Sequence, residues 1–186
     1  MESIEDTIAK TVALRPDRIA YYSYAHVPWI KGNGQRGFRD EDLPSGASKR
    51  RQYETGKTLL ETVGYKEIGM DHFALTTDAL HTSMENNTLH RNFMGYTANK
   101  TQLMIGLGMS AISDSWYAFA QNAKTVEEYT DLVNAGKIPI FRGHELSPED
   151  LVIRKHILNI MCHFETSWED EDMQFPEIKE CIEPRI

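Results

Sequence analysis

Cysteine is scarce in this 186-residue chain: Cys162 and Cys181 stand alone, with no CxxC spacing. Neither a disulfide framework nor a cysteine metal site is suggested. Positive charge is also short, with 20 Lys and Arg against 28 Asp and Glu, a net charge of −8 and a pI near 5.4. The overall basic footprint of many nucleic-acid binders is therefore missing, and no nucleic-acid partner is expected. The local cluster "SKRRQ" (Ser48–Gln52) reads as a solvated helix face. Long apolar runs are absent too. The longest, "LMIGLGMSAI" (Leu103–Ile112), is far too short for a spanning helix, so no membrane span is expected. The acidic start "MESIEDTIAK" has no apolar core of a secretory signal, which makes the cytoplasm the expected location.

What is present suits a globular domain. Apolar residues make up 40% of the chain and charged ones 26%, and the length allows one domain or a domain and a half with a real core. Ile4, Ile8 and Val12 share a helical face up to about Leu14. After Pro16 the run "RPDRIAYYSYAHV" (Arg15–Val27) is β-rich. The glycine-bearing stretch Lys31–Gly46 is longer than a simple connector requires. Ser48 to about Val63 is helix-compatible, with Gly64 placed to stop it, and "YKEIGM" (Tyr65–Met70) is the next strand. A helix is expected near Asp78–Asn86, and "QLMIGLGMSAIS" (Gln102–Ser113) reads as a buried strand. Thr125–Gly136 is helical and Ile138–Phe141 a short strand. Ser147–Phe164 has the clearest helix start, with a Ser cap, Pro148 and first-turn acids. Strands alternating with helices predict an α/β fold with a parallel sheet, ligands lying at the strands' carboxyl ends.

His26, Asp71 and His72 would stand at such ends, and "LHRNFMGY" (Leu89–Tyr96) adds His90 and Arg91. Three readings stay open for them. Metal ligation lacks an HxH or HExxH spacing. Anion recognition would use Arg36, Arg91 and the histidines against carboxylates or phosphates. The third reading has Asp71 and His72 tying a loop to the strand end. "GLGMSAIS" (Gly106–Ser113) is not a dinucleotide fingerprint, and a GxG of this kind more often serves packing. No nucleophile set is found for a hydrolase.

Several motifs occur together: "PDRIAYYSYAHVPW" (Pro16–Trp29), "QR" (Gln35–Arg36), "DLPS" (Asp42–Ser45), "GYKEIGMDHFAL" (Gly64–Leu75), "LHRNFMGYT" (Leu89–Thr97), "IGLGMSAIS" (Ile105–Ser113) and "YAFAQN" (Tyr117–Asn122). In this order and at this spacing they resemble the oxygen-independent coproporphyrinogen III oxidases (dehydrogenases), radical S-adenosylmethionine enzymes of haem biosynthesis. The related haem-chaperone branch carries a "YEISNFA"-like sequence where this chain has "GMDHFA", which favours the oxidase branch.

The resemblance implies the C-terminal part of a partial (β/α) barrel of TIM type over residues 1–113, then a linker and the start of a mostly helical segment over 114–186. It implies S-adenosylmethionine and a [4Fe–4S] cluster as cofactors and coproporphyrinogen III as substrate. Two propionates would be oxidatively decarboxylated to give protoporphyrinogen IX. The family's CxxxCxxC motif is missing, so the cluster ligands are expected outside this chain. The chain then reads as an internal fragment, inactive and self-associating on its own, with no catalytic residue or metal ligand assigned to it. Ala25 and Ile112 match family positions that contact S-adenosylmethionine, and Tyr22 stands where the family has an aromatic near it. Arg36, His72 and Arg91 are chosen for substrate carboxylates on residue chemistry, with Asp71 orienting His72. The alternative is a non-catalytic tetrapyrrole-binding or haem-chaperone-like relative without a cluster.

Overall fold

The computed structural model describes residues 2–29, 34–37 and 39–169. Contacts divide the chain into two compact units, Met1–Thr82 and Ser83–Ile186.

The first unit contains helix α1 (Glu2–Leu14), strand β1 (Arg18–Ala20), helix α2 (Gly46–Thr62), and strands β2 (Tyr65–Gly69) and β3 (His72–Leu75). Helix α3 (Ala79–Glu85) runs through the division. The helical stripe of α1 delivers Ile8 to a core of Leu60, Tyr65, Phe73 and Leu75, with Ile4 and Val12 packed beside it. Each such buried side chain contributes about 1.5–3 kcal/mol. Ser45 caps α2 by accepting from the Ser48 amide, and Gly64, at φ +96°, ends it in a conformation that favours glycine. The buried Tyr65 ring satisfies its hydroxyl by donating to the Pro16 carbonyl at 2.6 Å. Glu67 on β2 accepts from Tyr53 at 2.7 Å and from Lys57, tying α2 to the sheet. Burial pushes the Glu67 carboxyl upward, but these two hydrogen bonds together with the charges of Lys57 and Arg50 outweigh it and hold it below the usual carboxylate range.

The expected parallel sheet is not what the chain builds. Strand order is β1-β3-β2 with both pairings antiparallel, and antiparallel pairing holds for every strand pair among the described residues. For β2 and β3 the physical reason is loop length. Met70 and Asp71 alone separate β2 from β3, whereas a parallel connection needs a crossover of a dozen residues or more. Asp71 adopts φ 60°, the left-handed conformation that short hairpin turns demand. The "GMDH" stretch is therefore a hairpin turn, not the carboxyl end of a parallel strand.

The second unit holds a hairpin, β4 (His90–Asn92) with β5 (Gly95–Thr97), and a four-stranded sheet in the order β6 (Leu103–Met104), β7 (Ile112–Ser115), β8 (Ala118–Asn122), β9 (Ile140–Glu145). Helices α4 (Val126–Asn134) and α5 (Pro148–His163) follow the expected ranges closely. Ser147 and Asp150 form a reciprocal capping box at the start of α5. Two expectations need correction here. Among the described residues after 113, helices α4 and α5 share the segment with β8 and β9 of this sheet, so it is not mostly helical. Gln102–Ser113 is not one buried strand either: its middle is a loop in which Leu107 is 84% exposed.

That loop is built by packing. A Cβ on Gly106 would stand 2.7 Å from the Ile112 carbonyl oxygen, so the close approach requires glycine. Asn122 donates to the carbonyls of Gly106 and Gly108 at 3.0 and 2.9 Å, and Gln121 donates to that of Ser110. Arg154 of α5 anchors the helix to the sheet. Its Nη2 donates to both oxygens of Asp114 at 2.8 and 3.1 Å, and its Nη1 to the carbonyls of Ser115 and Trp116. The guanidinium carbon lies 4.7 Å from the Trp116 ring centre and 4.9 Å from that of Phe119.

Candidate functional site

In the first unit the segment after β1 leaves regular structure and carries Tyr22, Ala25 and His26. The Tyr21 amide donates to the Asp71 carbonyl at 2.8 Å, which ties the segment's start to the hairpin turn. The hairpin turn then brings Tyr22 and His72 together. The Tyr22 hydroxyl lies 3.2 Å from His72 Nε2, and His72 Nδ1 lies 2.8 Å from the Met70 carbonyl. A carbonyl can only accept, so Nδ1 carries the proton and, in the neutral ring, Nε2 accepts from Tyr22. The orientation expected of the Asp71 carboxylate is thus supplied at Nδ1 by Met70. Asp71 contributes its backbone.

Ala25 is fixed from a distance of ten residues. Gln35, in a short 3-10 turn (Gly34–Gly37), donates through Nε2 to the Ala25 carbonyl at 2.9 Å. Its Oε1 accepts from the Val27 amide at 2.6 Å. The side chain of the neighbouring Arg36 lies outside the described residues. Beside this segment is a cavity of about 250 Å³ whose walls include Tyr21, Tyr22, Tyr24, Lys49 and Tyr53.

In the second unit Ile112 lines a cavity of about 270 Å³ together with Phe93, Phe119, Gln121, Arg142 and His144. Phe93, in the β4–β5 turn, meets Phe119 edge-on at 4.9 Å. Arg91 is not part of that lining. Its guanidinium rests on the Tyr96 ring at 4.6 Å, and its Nη1 is buried without a hydrogen-bond partner among the described residues. Its charge is felt by Cys162, whose thiol burial nonetheless pushes up. His90 is buried in the same hairpin. Burial, then Lys100 and Arg154, lower its pKa, so the ring is neutral near pH 7. Sequence reasoning chose Arg36 and Arg91 as cations but gave no site role to Gln35, Phe93 or Phe119. The "QR" pair was the available signal for Gln35, since a carboxamide can hold an acceptor and a donor at once.

No protein-family model matches the chain. Curated relatives do. An oxygen-independent coproporphyrinogen III oxidase of Pseudomonas aeruginosa is 37% identical over 174 residues, covering 94% of this chain and 38% of the relative. That of Escherichia coli is 35% identical over the same shares. An anaerobic coproporphyrinogen III oxidase of Cereibacter sphaeroides is 34% identical over 100% of the chain and 41% of the relative. The chain is a homologue of the oxygen-independent coproporphyrinogen III oxidases over part of their length.

The fold agrees. The solved coproporphyrinogen III oxidase of Escherichia coli, a radical SAM enzyme, superposes with a TM-score of 0.81 at 34% identity, over 98% of this chain and 40% of that one. The chain thus spans about two fifths of the length of its oxidase relatives. The haem-chaperone alternative gains no support from relatives that bear the oxidase name.

An iron–sulfur cluster does not fit the residues described. Among them no group of three or more His, Cys, Asp or Glu is placed to hold a metal ion, and the sequence has no CxxxCxxC. For an adenosyl group the segment offers Ala25 as an exposed small side chain on a backbone held by Gln35, next to tyrosines that line a cavity which Ala25 itself does not line. No helix among the described residues is long and apolar enough to cross a membrane.

Proposed function

We propose that this chain forms part of an oxygen-independent coproporphyrinogen III oxidase working in the cytoplasm. The whole enzyme would convert coproporphyrinogen III to protoporphyrinogen IX by oxidative decarboxylation of two propionates. Each propionate loses carbon dioxide, a proton and two electrons and becomes a vinyl group. S-adenosylmethionine supplies the radical chemistry when bound, and the cluster thiolates would come from residues that this chain does not contain. The observation carrying the reading is the fold match at 34% identity across nearly the whole chain.

The chain's own part is binding and orientation. Tyr22, Ala25 and Ile112 are assigned to S-adenosylmethionine, through ring faces and apolar contact. Arg36, His72 and Arg91 are assigned to the substrate carboxylates, with Asp71 supporting His72 from the hairpin turn. In the neutral pair His72 Nε2 accepts the Tyr22 proton, so a carboxylate receives a hydrogen bond here once the Tyr22 hydroxyl turns away from His72 or Nε2 takes a proton of its own. Arg91 offers a charged N–H at the buried Nη1. The division at residue 113 between a barrel part and a C-terminal segment belongs to this proposal.

The test is anaerobic kinetics on the protein made with the coding sequence in frame with this chain. His72→Phe and Arg91→Met raise KM for coproporphyrinogen III and leave that for S-adenosylmethionine unchanged. Ala25→Phe does the reverse. Variants that change neither constant would overturn the assignment.

A further inference from the structure

We propose that Gln35 is a positioning residue for the cofactor segment: its carboxamide sets the Ala25–Val27 backbone in the shape on which an adenosyl group rests. The inference depends on the assignment of Ala25 to S-adenosylmethionine above.

Beyond Tyr21, whose amide is held by the Asp71 carbonyl, residues 22–27 follow without helix or strand. Such a segment has its shape decided by whatever else satisfies its polar groups. Here one side chain supplies both partners. Gln35 Oε1 accepts from the Val27 amide at 2.6 Å while Nε2 donates to the Ala25 carbonyl at 2.9 Å. The two backbone groups flank His26, whose Nδ1 lies 3.2 Å from the Tyr24 hydroxyl, so neighbouring side chains are oriented in step. A carboxamide is suited to this task. Glutamate keeps the acceptor but sets an oxygen against the Ala25 carbonyl. Asparagine is one methylene short, and alanine supplies neither partner. With the carbonyl of Ala25 and the amide of Val27 both engaged by Gln35, Ala25 and His26 are left to meet a ligand through their side chains. That agrees with apolar contact at Ala25. A misplacement of this backbone by about 1 Å is enough to cost binding or turnover, on the order of a hundredfold in demanding cases.

The experiment uses the full protein and two readouts. Amide hydrogen exchange reads the clamp without any ligand, and calorimetry with S-adenosylmethionine reads the site. In Gln35→Ala, exchange at the Val27 amide rises about tenfold or more, the factor that loss of one hydrogen bond allows. S-adenosylmethionine affinity falls at least tenfold in the same variant, while coproporphyrinogen affinity is unchanged. Gln35→Glu separates the two contacts: Val27 stays protected and cofactor affinity still falls, because the Ala25 carbonyl loses its donor. It also serves if Gln35→Ala fails to fold. Unchanged exchange at Val27 in Gln35→Ala overturns the clamp. Faster exchange with unaltered cofactor affinity overturns the positioning role. Absence of S-adenosylmethionine binding by the unaltered protein overturns the assignment of Ala25, and this inference with it, whereas the exchange data still report the clamp separately.

Discussion

Replacing Arg154 by methionine is expected to be among the most damaging single changes in the second unit. The Arg154 and Asp114 side chains are 14% and 9% exposed, so the pair is close to fully desolvated. The guanidinium also meets two backbone carbonyls and lies 4.7 Å and 4.9 Å from two aromatic ring centres. Methionine fills much of the volume but leaves the Asp114 carboxylate buried without its counter-charge. Breaking a buried pair from one side costs about 3–5 kcal/mol. Asp114→Leu should cost a similar amount for the mirror-image reason. The double variant, Asp114→Leu with Arg154→Met, removes both charges together, so its loss should fall short of the sum by about 2 kcal/mol or more. Urea unfolding followed by tryptophan emission is the assay, with Trp116 and Trp168 reporting on this unit. A single-variant loss below about 1 kcal/mol, or strict additivity in the double variant, would refute the reasoning.

Gly106→Ala places a methyl 2.7 Å from a backbone oxygen that cannot swing aside, and should cost about 1–3 kcal/mol by the same unfolding measurement. His90 and Glu67 both have folded pKa values below their ordinary 6.5 and 4.5. The unfolded chain therefore binds protons first on acidification, and stability falls below pH 6.5 through His90 and again below 4.5 through Glu67. Urea midpoints across pH should lose the first decline in His90→Gln and the second in Glu67→Gln. Cys162, 3% exposed with its thiol pKa raised by burial, should resist alkylation at pH 8 until denaturant is added. Strand β9, with all six residues exposed at one end of the sheet order, leads us to propose that the chain alone self-associates. Light scattering should find dimers or larger species, and a monomer at high concentration would count against it.

The helices were legible in the sequence because their signals are local. Ser147 with Pro148 and Asp150, and Gly64 after Val63, announce helix ends wherever the rest of the chain goes. Strand pairing was not legible, since direction depends on what each strand meets. The two-residue link at Met70–Asp71 was the available clue: a connection that short makes a hairpin. Exposed Leu107 looked buried because a run of apolar letters does not say which of them face solvent. At the candidate site, Tyr22, Asp71 and His72 were singled out, but Asp71 and His72 were placed at the end of a parallel strand and not at the hairpin turn they occupy. The contact of Tyr22 with His72 depends on the β1–β3 register, in which Ala20 sits opposite His72, and register is not written in single residues. Gln35 stood in the "QR" motif without a role, because its two partners are backbone groups that side-chain patterns do not reveal.

The most direct test of the account is anaerobic product analysis with the protein made in frame with its flanking coding sequence and reconstituted with iron and sulfide. The account predicts protoporphyrinogen IX from coproporphyrinogen III, two molecules of carbon dioxide for each substrate, and strict dependence on S-adenosylmethionine. A cluster-loaded protein that cleaves S-adenosylmethionine without touching coproporphyrinogen III, or that binds neither, would contradict it.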